Sequence, residues 1–199
     1  MASSAHTAAP RLFLIRHGDT AWSDSGQHTG LTDIPLNASG EARALALGAR
    51  LGRERFARVF TSPLIRARRT CELAGFTDRA EVNADLVEWN YGNYNGLTSA
   101  QIRQHHPDWN LFRDGAPGGE SPEMATARAD RFLTGVANIE GDTAAFSSGH
   151  FIRMLAARWI GLPAVDARHF YTATAGVSIL GYEHGRADRV ILLWNDARV

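Results

Sequence analysis

The chain has 199 residues, 44% of them hydrophobic, a length and apolar content suited to one folded domain with a full core. Its 21 basic residues are all arginine and are matched by 21 Asp and Glu, so no net field draws in nucleic acid or an anionic membrane. No apolar run reaches the roughly 18 residues of a membrane span, and a lone Cys71 rules out an internal disulfide and fits a reducing cytoplasm.

The opening MASSAHTAAP lacks the basic start and long apolar centre of a signal peptide. Residues 1–10 are expected to form a flexible tail, leaving 11–199 as a single domain. RLFLIRHG then reads as a short buried strand ending near Arg16. The polar stretch DTAWSDSGQHTGLTDIPLN is too long for a simple turn and reads as a binding loop. Asn37 is placed to cap a helix over 38–52, with Ala44, Leu47, Gly48 and Leu51 on one face.

ARVFTS is a second strand, and Ser62-Pro63 predicts a helix start, a capping hydroxyl followed by proline at the first helical position. A third strand is expected over 81–88, running into WNYGNYNG. A short helix near 98–106 precedes the loop DGAPGGESP, and a longer one spans 122–139. The strand TAAFS, the helix FIRMLAARWI and a hairpin made by GVSILGYEH and ADRVILLWN complete the chain.

Strands alternating with helices predict a three-layer α/β/α fold, its central sheet mostly parallel with antiparallel pairing at the C-terminus. Ligands of such sheets bind beyond the carboxyl ends of the strands. Arg16-His17, Ser62 with Arg66, Glu88, and Ser148 to His150 all fall at predicted strand ends, so one pocket is expected to collect them. An unprotonated imidazole is a competent nucleophile, arginine holds phosphoryl oxygens, and glycine lets backbone approach an anion.

RHG after a strand, then DTAW and GQHTGLTDIPLNASGE, then TSPLIRARRT and LVEWNYGNYNG, form a joint pattern. It resembles the histidine phosphatase superfamily, the phosphoglycerate-mutase-like enzymes, over nearly the whole chain from Arg11 to Asn195. The resemblance implies a covalent phosphohistidine mechanism with His17 as nucleophile and Arg16 and Arg66 as the phosphoryl clamp. Glu88 would be the general acid for the leaving alkoxide and then the base for water. It further implies substrate contacts at Gly18, Thr20, Ser23, Gln27, His28, Thr29 and Gly30 of the first loop, and at Ser62, Trp89, Tyr91 and Gly149. No cofactor and no metal are required. The short connection between Glu88 and the strand at Ala144 favours a phosphatase over a mutase, and the first loop and GGESP are similar to the sugar-bisphosphatase branch. A weakly active or inactive relative that binds a phosphorylated ligand or a protein partner is the reading from a different class. The expected partner is a small phosphorylated substrate, and a homodimer is compatible with the sequence.

One position departs from the family. A histidine is usual before the glycine at the last strand end, and here Ser148 stands there, with His150 just after the glycine. Three readings stay open: a serine that only caps the helix, a serine acting as neutral donor while His150 supplies a cationic imidazole, or an engineered replacement that traps a phosphorylated state.

Overall fold

Side-chain alternation along the first strand, β1 (Leu12–Arg16), sets the architecture. Leu12 and Leu14 face one way into a core with Phe132, Leu133, Phe151 and Leu155, while Phe13 and Ile15 face the other way onto Leu47, Leu51 and Cys71. A strand apolar on both faces must lie inside a sheet covered twice. The computed structural model describes residues 9–198, so the first eight residues of the expected tail lie outside the described residues.

In chain order, β1 is followed by α1 (Ala21–Ser25), α2 (Ala38–Leu51), β2 (Phe56–Thr61), α3 (Ile65–Cys71) and β3 (Ala80–Val82). Next come α4 (Ser99–His105), α5 (Leu111–Asp114), α6 (Pro122–Val136), β4 (Asp142–Ser147), α7 (Gly149–Trp159), β5 (Val177–Glu183) and β6 (Asp188–Asp196). The strands form one six-stranded sheet in the order β3-β2-β4-β1-β5-β6. Pairing is parallel from β3 to β1 and antiparallel for β1 with β5 and β5 with β6, as the sequence predicts.

The parallel centre places the carboxyl ends of β2, β4 and β1 side by side. Arg16 pairs with Ser147, and the ladder continues one residue further, His17 N–H donating to Ser147 O at 3.0 Å and Ser62 N–H to Phe146 O at 2.9 Å. Gly18 and Gly40 let the chain after β1 cross the start of α2: a Cβ on Gly18 would lie 2.4 Å from Gly40 O.

Three expectations need correction. The third strand stops at Val82 rather than 88, because the Asn83 side chain accepts the Asp85 N–H and turns the chain into a single 3-10 turn over Ala84–Leu86. Ser62 does not cap α3. The helix begins at Ile65, whose N–H is taken by Asp33 Oδ1 of the first loop at 2.7 Å, while Ser62 Oγ accepts only from Leu64 N. The stretch read as continuous loop also holds α1, closed by a capping box in which Thr20 Oγ1 accepts the Ser23 N–H and Ser23 Oγ accepts the Thr20 N–H.

Candidate active site

A cavity of about 260 Å³ opens over the strand ends and is lined by His17, Arg16, Arg66, Glu88, Gly149 and His150. Ser23, Gln27, His28, Thr29 and Tyr91 complete the expected part of its wall.

His17 is 4% exposed, and its Nδ1 lies 2.7 Å from Gly18 O. A carbonyl only accepts, so Nδ1 carries the proton and Nε2 keeps its lone pair. Burial, reinforced by the positive charges of Arg16 and Arg66, holds the imidazole pKa well below its ordinary value, against a smaller upward pull from the Gly18 bond. His17 is therefore a neutral base at pH 7 with one free nitrogen.

Arg66 is fully buried and donates to Gly30 O at 2.7 Å and Thr32 O at 2.9 Å. Arg16 donates to Thr172 O at 2.6 Å. Neither guanidinium has a carboxylate partner in contact, and burial lowers the pKa of both. Gly149 makes room for Arg16, since a Cβ there would lie 3.1 Å from its Nε. Among the described residues, four buried side-chain polar atoms lack any partner, and three of them are Arg16 Nε, Arg66 Nε and Ser148 Oγ. Buried polar groups are normally satisfied. Arg16 and Arg66 line the cavity, while Ser148, expected in the site, stands behind the wall next to the lining residue Gly149; two cations with spare donors give the cavity the character of an oxyanion receptor.

The start of α7 is capped by Glu88 rather than by Ser148. Ser148 occupies the cap position without a side-chain cap bond. The Glu88 carboxylate instead accepts the N–H groups of His150 (3.1 Å, Oε2), Phe151 (3.0 Å, Oε1) and its neighbour Trp89 (2.9 Å, Oε1). Oε2 carries one bond to Oε1's two, which leaves it the oxygen with a free site for a proton. The reading of Ser148 as a helix cap is thereby overturned.

The cationic role expected of His150 is also corrected. Its side chain is 25% exposed, Tyr91 O–H lies 2.6 Å from its Nδ1, and burial together with Arg153, His28 and Arg16 drives its pKa well down. Burial and Glu88 push the Tyr91 phenol well up, so the phenol donates, Nδ1 accepts, and the proton sits on Nε2. His150 offers the cavity a neutral N–H.

His28, 8% exposed, stacks on Tyr91 at 4.6 Å, and burial and Arg103 lower its pKa to about 4. Five expected contacts stand behind the wall instead. Gly18 packs on α2, and Thr20 caps α1. Gly30 offers its carbonyl to Arg66, Ser62 is buried beneath α3, and Trp89 is a core residue whose Nε1–H donates to Glu120 O. The wall also includes Trp22, Gly26, Ser99, Arg153, Tyr171 and Thr172. Of these only Arg153, one helical turn beyond Gly149, carried a signal in its spacing; Tyr171 and Thr172 arrive from a distant loop. Among the described residues no group of three or more His, Cys, Asp or Glu is placed to hold a metal ion, and no helix is long and apolar enough to cross a membrane.

Comparison with known proteins places this geometry among relatives. A family model described as histidine phosphatase superfamily (branch 1) matches residues 12–197. An acid phosphatase of Mycobacterium tuberculosis is 40% identical over 186 residues, spanning 92% of this chain and 91% of that protein. The sedoheptulose 1,7-bisphosphatase of Saccharomyces cerevisiae is 36% identical over 185 residues, 77% of this chain and 68% of the yeast protein. Among solved structures, the product of an open reading frame from Mycobacterium tuberculosis superposes with a TM-score of 0.89 at 37% identity, covering 95% of this chain and 99% of its own. A mycobacterial glucosyl-3-phosphoglycerate phosphatase gives 0.83 at 26% identity, covering 94% and 99%.

Proposed function

Because the chain belongs to the histidine phosphatase superfamily and is a phosphatase of it, we propose that it hydrolyses a small sugar phosphate or bisphosphate through a phosphohistidine on His17. The observation that carries this reading is the free Nε2 of a neutral His17 beside two buried guanidiniums with unused donors.

Nε2 attacks phosphorus while the bond to the sugar oxygen breaks. Arg16 and Arg66 hold the equatorial oxygens as charge spreads over them, which is where most of the catalysis in phosphoryl transfer arises. Glu88 gives its proton to the departing alkoxide. The same carboxylate then takes a proton from water as water attacks phosphorus, the P–N bond breaks, and inorganic phosphate leaves with His17 restored. The Nδ1–H bond to Gly18 O keeps the ring oriented through both steps.

The sugar preference is supported by relatives named for a sugar bisphosphate and a glucosyl phosphoglycerate. The wall suits it: the polar side chains of Ser23, Gln27, Ser99 and Thr172 and the rings of Trp22 and Tyr171 line the same cavity as the two arginines. A cytoplasmic setting and action as one catalytic unit over residues 11–199 belong to the same proposal. Burial drives the Cys71 thiol up to about 12, which leaves it inert in a reducing compartment.

A panel of sugar mono- and bisphosphates, read by release of inorganic phosphate and by acid-labile label on the protein, tests the reading. Activity and label are expected with the intact chain and neither with His17→Ala. Turnover surviving in His17→Ala, or phosphoryl exchange without release of phosphate, would overturn it.

A further inference from the structure

The GGESP segment contributes nothing to the cavity wall, yet its Glu120 is 8% exposed and its ion-pair partner Arg128, on α6, is 7% exposed. The pair is bidentate, Nε to Oε1 at 2.9 Å and Nη2 to Oε2 at 2.7 Å. The remaining Arg128 donors go to the segment that carries Glu88: Nη1 to Asp85 O and to Val87 O, both at 2.7 Å, and Nη2 to Glu88 O at 3.5 Å. The guanidinium also lies 3.9 Å from the centre of the Phe151 ring, and Phe151 N–H is one of the donors that hold the Glu88 carboxylate.

Glu120 grips the same segment from the other side. Its N–H donates to Asn90 O at 2.8 Å, its carbonyl accepts Trp89 Nε1–H at 2.8 Å, and Oε2 receives Asn90 N–H at 3.4 Å. Residues 85–90, which form no helix or strand after the turn at Leu86, thus hang between one arginine and one glutamate. A buried ion pair adds little net stability compared with apolar residues of the same shape. What it supplies here is fixed direction, because a planar fork bonded at both edges has one orientation.

We propose that the Arg128–Glu120 pair is a positioning device that sets the Glu88 carboxyl toward the leaving-group oxygen. Neither residue touches substrate. The inference rests on Glu88 acting as general acid, and the experiment separates the two.

Compare kcat/KM for p-nitrophenyl phosphate, whose leaving group departs without a proton, with that for benzyl phosphate, whose alkoxide needs one. The ratio of the two is independent of how much of a variant is folded. Glu88→Gln sets the reference, and should depress the benzyl substrate by about 100-fold more than the nitrophenyl one. Arg128→Met and the isosteric Glu120→Gln are expected to shift the ratio the same way by about tenfold. Arg128→Lys should not restore it, since an ammonium cannot span the carbonyls and the carboxylate together. If Glu88→Gln shifts the ratio but the Arg128 and Glu120 variants slow both substrates equally, the pair is only structural and the proposal fails. If Glu88→Gln leaves the ratio unchanged, Glu88 is not the acid and the proposal falls with that assignment.

Discussion

The hydroxyl of Ser148 is fully buried and has no partner in the free protein, which makes Ser148→Ala an unusually informative change. An unpaired buried hydroxyl costs about 1–3 kcal/mol. Removing it should therefore stabilise the free chain by up to that amount, and each kcal/mol is worth about 2–4 °C in Tm for a protein of this size. Ser148 adjoins the lining residue Gly149, and on the proposed mechanism a phosphoryl oxygen brought to this hydroxyl would accept from it, an interaction of about 1.5–3 kcal/mol. At about 1.4 kcal/mol per decade, its loss from the transition state lowers kcat by about 10- to 150-fold. Stability and turnover thus move in opposite directions from one deletion. Thermal unfolding with and without orthovanadate, beside kcat for a sugar phosphate, reads both. A variant with undiminished kcat would refute the reasoning and leave Ser148 as a filler of space.

Arg66→Met keeps the length of a fully buried side chain while deleting its charge, and is expected to lower kcat/KM by about 100- to 1,000-fold and to abolish the Tm gain from vanadate; activity within tenfold of the parent would exclude Arg66 from the clamp. Because the His17 pKa is held well below 6.5, its ring resonances in NMR should titrate below that value, keeping the nucleophile unprotonated in mildly acidic solution; a midpoint at or above 6.5 would contradict the neutral imidazole. His28 has its pKa lowered to about 4, so the folded state refuses a proton that the unfolded chain takes up below about 6.5, and stability must fall as pH drops through that window. Between pH 6.5 and 5 this loss is about 1.5 kcal/mol, and His28→Phe should flatten the decline in Tm; an equally steep decline in the variant would place its origin elsewhere.

Periodicity and capping in the sequence determined most of the framework. Apolar runs mark β1, β2 and β4, helical stripes mark α2, α6 and α7, and the order of strands and helices brings Arg16, His17, Arg66 and Gly149 to one edge. These are local signals, since a buried strand or an amphipathic helix declares itself within a few residues. The tertiary structure decided what the site residues do to one another. Glu88 caps a helix that starts 61 positions later, and that contact takes the cap from Ser148 and leaves its hydroxyl unused. Tyr91 donates to His150 across 59 positions and makes neutral an imidazole whose sequence position suggested a cation. Arg128 and Glu120 close on the Glu88 segment in the same way, and Tyr171 and Thr172 enter the wall from beyond α7. A charge state or an orphaned donor depends on which groups packing brings within about 3 Å, a distance that no local pattern encodes.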